Sequence, residues 1–222
     1  MRAASTSITP VFLNAQYRQN EGLAKLNSCL SYNGMVHDAV DYILPVATTL
    51  QFILVLFEPD RQQKESSPSK RSFELASALW HEFGFKKEKA RIITAYAKQK
   101  KLYNRDGRYT VCEIIDAVQG IEVDDTIIDL GRNHGVGFMR DPRRINVALT
   151  RARHRLILIA HEGLGQGNYP GLGHDYWYHF REACSKLNLI RKVRLHESPL
   201  RVASRLKEEM NSRQPLNQSS VR

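Results

Sequence analysis

The sequence predicts an α/β fold on a mostly parallel sheet, and two observations carry that prediction. Within 51–57 and 155–160 the apolar residues that follow Gln51 and Arg155 are continuous rather than alternating, as in strands buried on both faces. Between such runs lie amphipathic stretches of helical period, and strands alternating with helices build a parallel sheet covered on both sides.

The elements follow in order. Residues 58–70 are polar, with Pro59, Pro68 and a Ser-Ser pair, the composition of a loop. Phe73, Leu75, Ala76, Leu79, Trp80 and Phe83 recur at helical spacing over 72–83. A short strand is predicted at 90–94, a helix at 96–103, and strands at 109–115 and 126–130. Asp141-Pro142 opens a helix, since Asp caps well and Pro suits the first helical position. After the strand at 155–160 come a Gly-rich surface loop (163–167), a helix at 176–187 and a last edge strand at 189–195. The first 40 residues hold no strong strand signal.

Hydrophobic residues make up 42% of the 222, which argues against wholesale disorder. The formal net charge is +10. A balance this basic suits a polyanionic partner such as nucleic acid, although many small proteins are basic without one. Cys29, Cys112 and Cys184 lie far apart with no C-x-x-C pair, so no metal site is expected. Residues 1–10 lack an apolar signal core, and no run is long enough to span a bilayer. The expectation is an intracellular protein of cytoplasm or nucleus. His81-Glu82 and His161-Glu162 lack the H-E-x-x-H spacing and read as surface pairs.

Asp141-Pro-Arg-Arg-Ile-Asn-Val-Ala-Leu-Thr-Arg-Ala-Arg153 is the most informative segment. At about 100° per residue, Ile145, Ala148, Leu149 and Ala152 share one side, which predicts a buried stripe. Arg144 and Arg151 share one flank; Asn146, Thr150 and Arg153 share the other. Two guanidiniums on one flank suit phosphate recognition. A solvated basic helix gives the same spacing.

Asn146-Val-Ala-Leu-Thr-Arg-Ala-Arg153 resembles motif VI of superfamily-1 helicases, in the group of the nonsense-mediated-decay RNA helicase. Asp116-Ala-Val-Gln-Gly-Ile-Glu122 resembles that group's motif V, and Gly135-Val-Gly-Phe-Met-Arg-Asp141 its linking segment. Ile92-Ile-Thr-Ala-Tyr-Ala-Lys-Gln99 is similar to its Thr-Pro-Tyr-x-x-Gln segment, and Gln16-Tyr17-Arg18 to motif IV. The resemblance implies a RecA-like (P-loop NTPase-type) three-layer fold, the second motor domain of such a helicase. It divides the chain into a motif IV and entry segment (1–40), the RecA-like domain (41–196) and a basic tail expected to be disordered (197–222).

The resemblance also implies roles. Arg151 and Arg18 match the arginines that reach the γ-phosphate of ATP. Gln119, Gly120 and Glu122 match motif V positions at the nucleotide, Gly120 permitting a tight turn, and Tyr17 would lie near the base. Arg132, Thr94 and Tyr96 fall on the nucleic-acid side. ATP and magnesium are implied only with a P-loop domain, in cis or in trans, and single-stranded nucleic acid, RNA favoured, is the implied polymer.

Several positions depart from the pattern. Motif IV continues Gln19-Asn20-Glu21 instead of Met-His-Pro, Ala95 replaces a Pro, and Ile114 replaces a hydroxyl residue before the motif V Asp. Ile121 stands where Arg is common. No Gly-x-x-x-x-Gly-Lys-Ser/Thr occurs in the 222 residues, nor a strand-borne Asp-Glu pair. Two readings stand: a helicase motor half, inactive as an ATPase alone, or a degenerate module that binds nucleic acid or protein without catalysis. Under the first, the flanks predict that activity depends on Arg151 far more than on Arg153.

Overall fold

The computed structural model describes residues 14–19, 23–24, 26–28, 35–38, 52–60, 62, 67–107, 112–135, 137–166 and 174–212. The expectations for 1–10, Asn20, Glu21, 109–111 and the chain beyond 212 lie outside them. Near the start, β1 (Ala15–Gln16) and β2 (His37–Asp38) form a short parallel pair.

The main sheet has six strands: β3 (Phe52–Phe57), β4 (Ala90–Thr94), β5 (Cys112–Ile114), β6 (Val123–Asp129), β7 (Ala152–His161) and β8 (Ile190–Val193). Their spatial order is β5-β4-β6-β7-β3-β8, and every pairing is parallel. β3 is buried at every position, so both faces are covered, as its continuous apolar run predicts. β8 lies at an edge, also as predicted. This is the α/β, RecA-like arrangement.

Helix α1 (Lys70–Glu82) starts where the Ser69 side chain accepts from the Ser72 amide. It packs on β6 and β7 through Leu75, Ala76 and Leu79, all fully buried. Helix α2 (Ala97–Asp106) ends at Gly107 in the left-handed region, a conformation glycine adopts at little cost. Helix α3 (Pro142–Leu149) is capped by Asp141, whose carboxylate accepts from the Arg143 amide, with Pro142 in its first turn. Helix α4 (His174–Lys186) sends the Trp177 indole to the Met139 carbonyl. Among the described residues, no helix is long and apolar enough to cross a membrane.

Three expectations are corrected. Residues 197–212 are not a disordered tail: Pro199–Ser212 form helix α5, which buries Val202, Ala203, Leu206 and Met210 and packs against α1. Arg191 pairs with Glu209, and Arg71 donates to the carbonyls of Arg194 and Glu197, fixing both ends of this hairpin of β8 and α5. His161 is not on the surface. It is 4% exposed, its Nε2 lies 3.0 Å from the Gly135 carbonyl, and burial lowers its pKa. The helix of 141–153 is shorter than its wheel implies. It stops at Leu149: the Thr150 amide and hydroxyl still bond back to the Asn146 carbonyl, but Ala152 is drawn into β7 opposite Val123.

Candidate functional site

Because the strands are parallel, the sheet has one amino-end edge and one carboxyl-end edge, and the chemistry-bearing residues divide between them. At the amino ends of β6 and β7 sits an arginine cluster. Glu122, just before β6, receives Arg18 Nε on one carboxylate oxygen and Arg153 Nη2, at 2.9 Å, on the other. Arg18 Nη1 also donates to the Thr150 carbonyl at 3.1 Å. These hydrogen bonds, Arg153's first, hold the Glu122 carboxyl below the usual glutamate range, so it is ionised at neutral pH.

Arg151 is 8% exposed and turns inward. Its Nε donates to the Val147 carbonyl, its Nη1 to those of Val118 and Ile121, and its Nη2 to the Thr150 hydroxyl. The guanidinium thus ties the end of α3 to the turn that carries Glu122. Burial, and then Arg18's charge, lower its pKa. Neither expected flank survives, because Arg151 and Arg153 lie beyond the helix. The buried stripe does, since Ile145, Ala148, Leu149 and Ala152 are fully buried. Arg144 lies at the opposite end of α3, paired with Asp116 and 3.4 Å from the Phe138 ring centroid.

The remaining residues of this edge are more open. Gln119 is exposed and makes no side-chain hydrogen bond among the described residues. Gly120 has φ 86°, in the tight turn between a 3-10 turn (Ile115–Ala117) and β6. Tyr17 is 70% exposed next to Arg18. The segments resembling motifs V and VI therefore converge, but at the amino ends of the strands. Ligands of open α/β sheets generally sit at the carboxyl ends instead.

The carboxyl-end edge carries the second group. Tyr96 follows β4, and Arg132 follows β6 with its guanidinium 5.5 Å from the Tyr96 ring centroid. The Tyr96 hydroxyl accepts from the Phe138 amide, and the two rings meet edge-on at 6.4 Å. Gly137, at φ 47°, allows this approach: a Cβ there would lie 2.5 Å from the Tyr96 hydroxyl and 2.7 Å from Arg132 Nη1. The side chains form a row, Arg132–Tyr96–Phe138–Arg144. Thr94 is not part of that surface, being fully buried.

Two groups of residues escaped the sequence reading. Gln19, treated as a departure from motif IV, is 4% exposed and donates to the Leu149 and Ala152 carbonyls. It also accepts from Asn27 at 2.6 Å. It caps α3 and fastens the entry segment to it, and nothing in a lone Gln-Asn signals that. Beneath the carboxyl-end edge, buried Asp129 receives Tyr103, Gln99 and the Gly131 amide, and burial, the largest influence, raises its pKa.

A family model described as an AAA domain matches residues 1–163. Among curated relatives, the ATP-dependent helicase upf1 of Schizosaccharomyces pombe is 28% identical over 94% of this chain and 26% of its own length. The Regulator of nonsense transcripts 1 homolog of Drosophila melanogaster is 30% identical over 71% of this chain and 16% of its own length. The ATP-dependent helicase NAM7 of Saccharomyces cerevisiae is 28% identical over 71% and 19%. The chain thus spans about a quarter or less of the length of these relatives. With a parallel RecA-like sheet and the convergence of the motif V and VI segments, the chain belongs to the AAA domain family as a helicase-type domain of the superfamily-1, nonsense-mediated-decay group.

Proposed function

We propose that this chain is the second RecA-like domain of an ATP-dependent helicase acting on single-stranded nucleic acid, RNA favoured, and that it works with a P-loop domain supplied in cis or in trans. The observation that carries this reading is the amino-end cluster. Two guanidiniums, those of Arg18 and Arg153, hold one carboxylate, Glu122, and a third, that of Arg151, is tied to the turn that carries it, leaving an excess of positive charge where a polyphosphate can lodge. In this reading Arg18 and Arg151 serve the phosphates, Gln119 and Gly120 line their approach, and exposed Tyr17 offers a face to the base. Arg151 must leave the Val118 and Ile121 carbonyls to reach a phosphate, whereas Arg18 keeps an open donor. The carboxyl-end row through Tyr96 and Arg132 is the stretch of nucleic-acid track; buried Thr94 supports it from below.

These residues fit a nucleotide's phosphates. They offer its magnesium little, since the one carboxylate of the cluster, Glu122, has both oxygens engaged by Arg18 and Arg153. The metal ligands belong with the P-loop domain. ATP bound there supplies the phosphoryl group whose hydrolysis drives such motors.

The test joins this chain to the P-loop domain of a relative. The chain alone is expected to show no turnover and the joined protein nucleic-acid-stimulated turnover. Arg18→Ala is expected to lower kcat by up to the roughly 10³–10⁵-fold of arginine fingers. A folded joined protein that binds ATP without turnover supports the non-catalytic reading instead.

A further inference from the structure

Arg18 is held on two sides. Glu122 takes its Nε proton and the Thr150 carbonyl takes one from Nη1. Its Nη2 has no hydrogen bond among the described residues, so one edge of the guanidinium stays open. Glu122 is itself restrained, because Arg153 Nη2 holds its other oxygen at 2.9 Å. Both Glu122 and Arg153 remain partly exposed, at 33% and 44% of their side chains, so the clasp borders solvent.

We infer that Glu122 and Arg153 are positioning residues for Arg18, and that Glu122 does not itself bind the phosphate. A carboxylate is a poor phosphate ligand, since it repels the anion. It is a good anchor for a guanidinium, which it grips in one plane. With Nε and one Nη1 proton engaged, the plane of Arg18 is fixed before any ligand arrives, and both Nη2 protons are left for a polyphosphate. Arg153 keeps Glu122 from swinging with Arg18. This inference rests on the nucleotide reading of the amino-end edge and adds to it a division of labour, with one arginine to touch the phosphate and one to hold the carboxylate that aims it.

The sign of one substitution separates positioning from bare charge. Glu122→Gln removes a negative charge beside the site, so by charge alone it strengthens polyanion binding. By positioning it weakens binding, because Arg18 must then be immobilised by the ligand, a cost equivalent to roughly two- to tenfold in affinity. The probe is inorganic tripolyphosphate, titrated calorimetrically into the whole chain. The expected results are weaker binding for Glu122→Gln, and a larger loss for Arg153→Ala in the wild-type background than in Arg18→Ala. Tighter binding by Glu122→Gln overturns the role of Glu122, and an equal loss in both backgrounds overturns that of Arg153. Unchanged affinity in Arg18→Ala removes the nucleotide reading of this edge and the inference with it. A ligand-free measurement guards against misfolding: solvent exchange of the Arg18 Nε proton, followed by NMR, is expected to quicken in Glu122→Gln, and an unchanged rate overturns the clasp.

Discussion

The Arg151 guanidinium reaches back to the Ile121 carbonyl at 3.1 Å, fastening the segment before β7 to the turn before β6. With further bonds to Val118 and Val147, it adds side-chain ties where the β6–β7 ladder begins, at the Val123 amide and the Arg151 carbonyl. Arg151→Ala removes a donor from each carbonyl; that of Val118 keeps the Ile121 amide and that of Val147 the Thr150 hydroxyl, so the loss falls chiefly on the half-buried Ile121 carbonyl. A loss of about 1–3 kcal/mol in unfolding free energy is expected, the scale of an unmet buried polar group. Urea denaturation measures it. Stability equal to wild type shows that Arg151 does not hold the turn.

A second prediction concerns the entry segment. Gln19 is buried and serves the last carbonyl of α3 as well as that of Ala152, so Gln19→Leu keeps bulk and removes the donor. It is expected to destabilise the chain by about 1–3 kcal/mol and to hasten proteolytic cleavage within the first 40 residues relative to the rest. Uniform proteolysis rates across the chain contradict it.

These two cases show what sequence can and cannot convey. The cap at Asp141, the limits of β4 and the buried stripe of α3 were legible because each depends on local chemistry: a carboxylate at a helix start, a short apolar run, a period of 3.6. The end of α3 was not. Ala152 continues the apolar stripe in sequence, yet β6 recruits it into the sheet, and strand pairing is a non-local event. Gln19 was invisible for the same reason, since its partners lie 130 and 133 residues away. Helix α5 was hidden differently. Val202, Ala203, Leu206 and Met210 sit at helical spacing, but the basic composition of the segment outweighed that pattern.

A third prediction concerns the support of the carboxyl-end edge. The Tyr103 hydroxyl donates to Asp129 at 2.6 Å in a fully buried network with Gln99. Tyr103→Phe removes the donor and preserves the ring, which also packs edge-on against Phe73. A loss of about 1–3 kcal/mol is expected, with a further rise in the pKa of Asp129, since Tyr103's hydrogen bond is among the influences opposing burial. Carbon-detected NMR of the carboxyl follows that rise, and an unmoved titration shows that Tyr103 is not coupled to it.

The pH dependence of the amino-end cluster follows from Glu122. Its carboxyl titrates below the usual glutamate range in the folded chain. Such a group contributes stability that is fully present above its unfolded pKa and lost as pH falls through the lowered folded value. Glu122→Gln should therefore flatten the decline of stability on acidification in that acidic window, without altering its shape near neutrality. Parallel wild-type and variant curves throughout the acid range contradict this.

The last prediction separates charge from stacking at the carboxyl-end edge. Arg132 lies over Tyr96, and Phe138, 43% exposed, continues the row toward Arg144. If single-stranded nucleic acid runs along this row, its phosphates meet arginines and its bases meet rings. The two contributions respond differently to salt. A phosphate contact releases counterions, so Arg132→Ala should reduce the slope of log K against log salt by about 0.7, the single-strand value per contact. A stacked base releases none. Phe138→Ala should therefore weaken binding with the slope unchanged, by up to the roughly 1–3 kcal/mol of a base–aromatic stack, and Phe138→Trp should restore it. Fluorescence anisotropy with a labelled oligouridylate over a range of salt reads both quantities. A lower slope in Phe138→Ala would mean that the substitution displaces Arg144, whose guanidinium rests on that ring, and that Phe138 supports a charge and stacks no base.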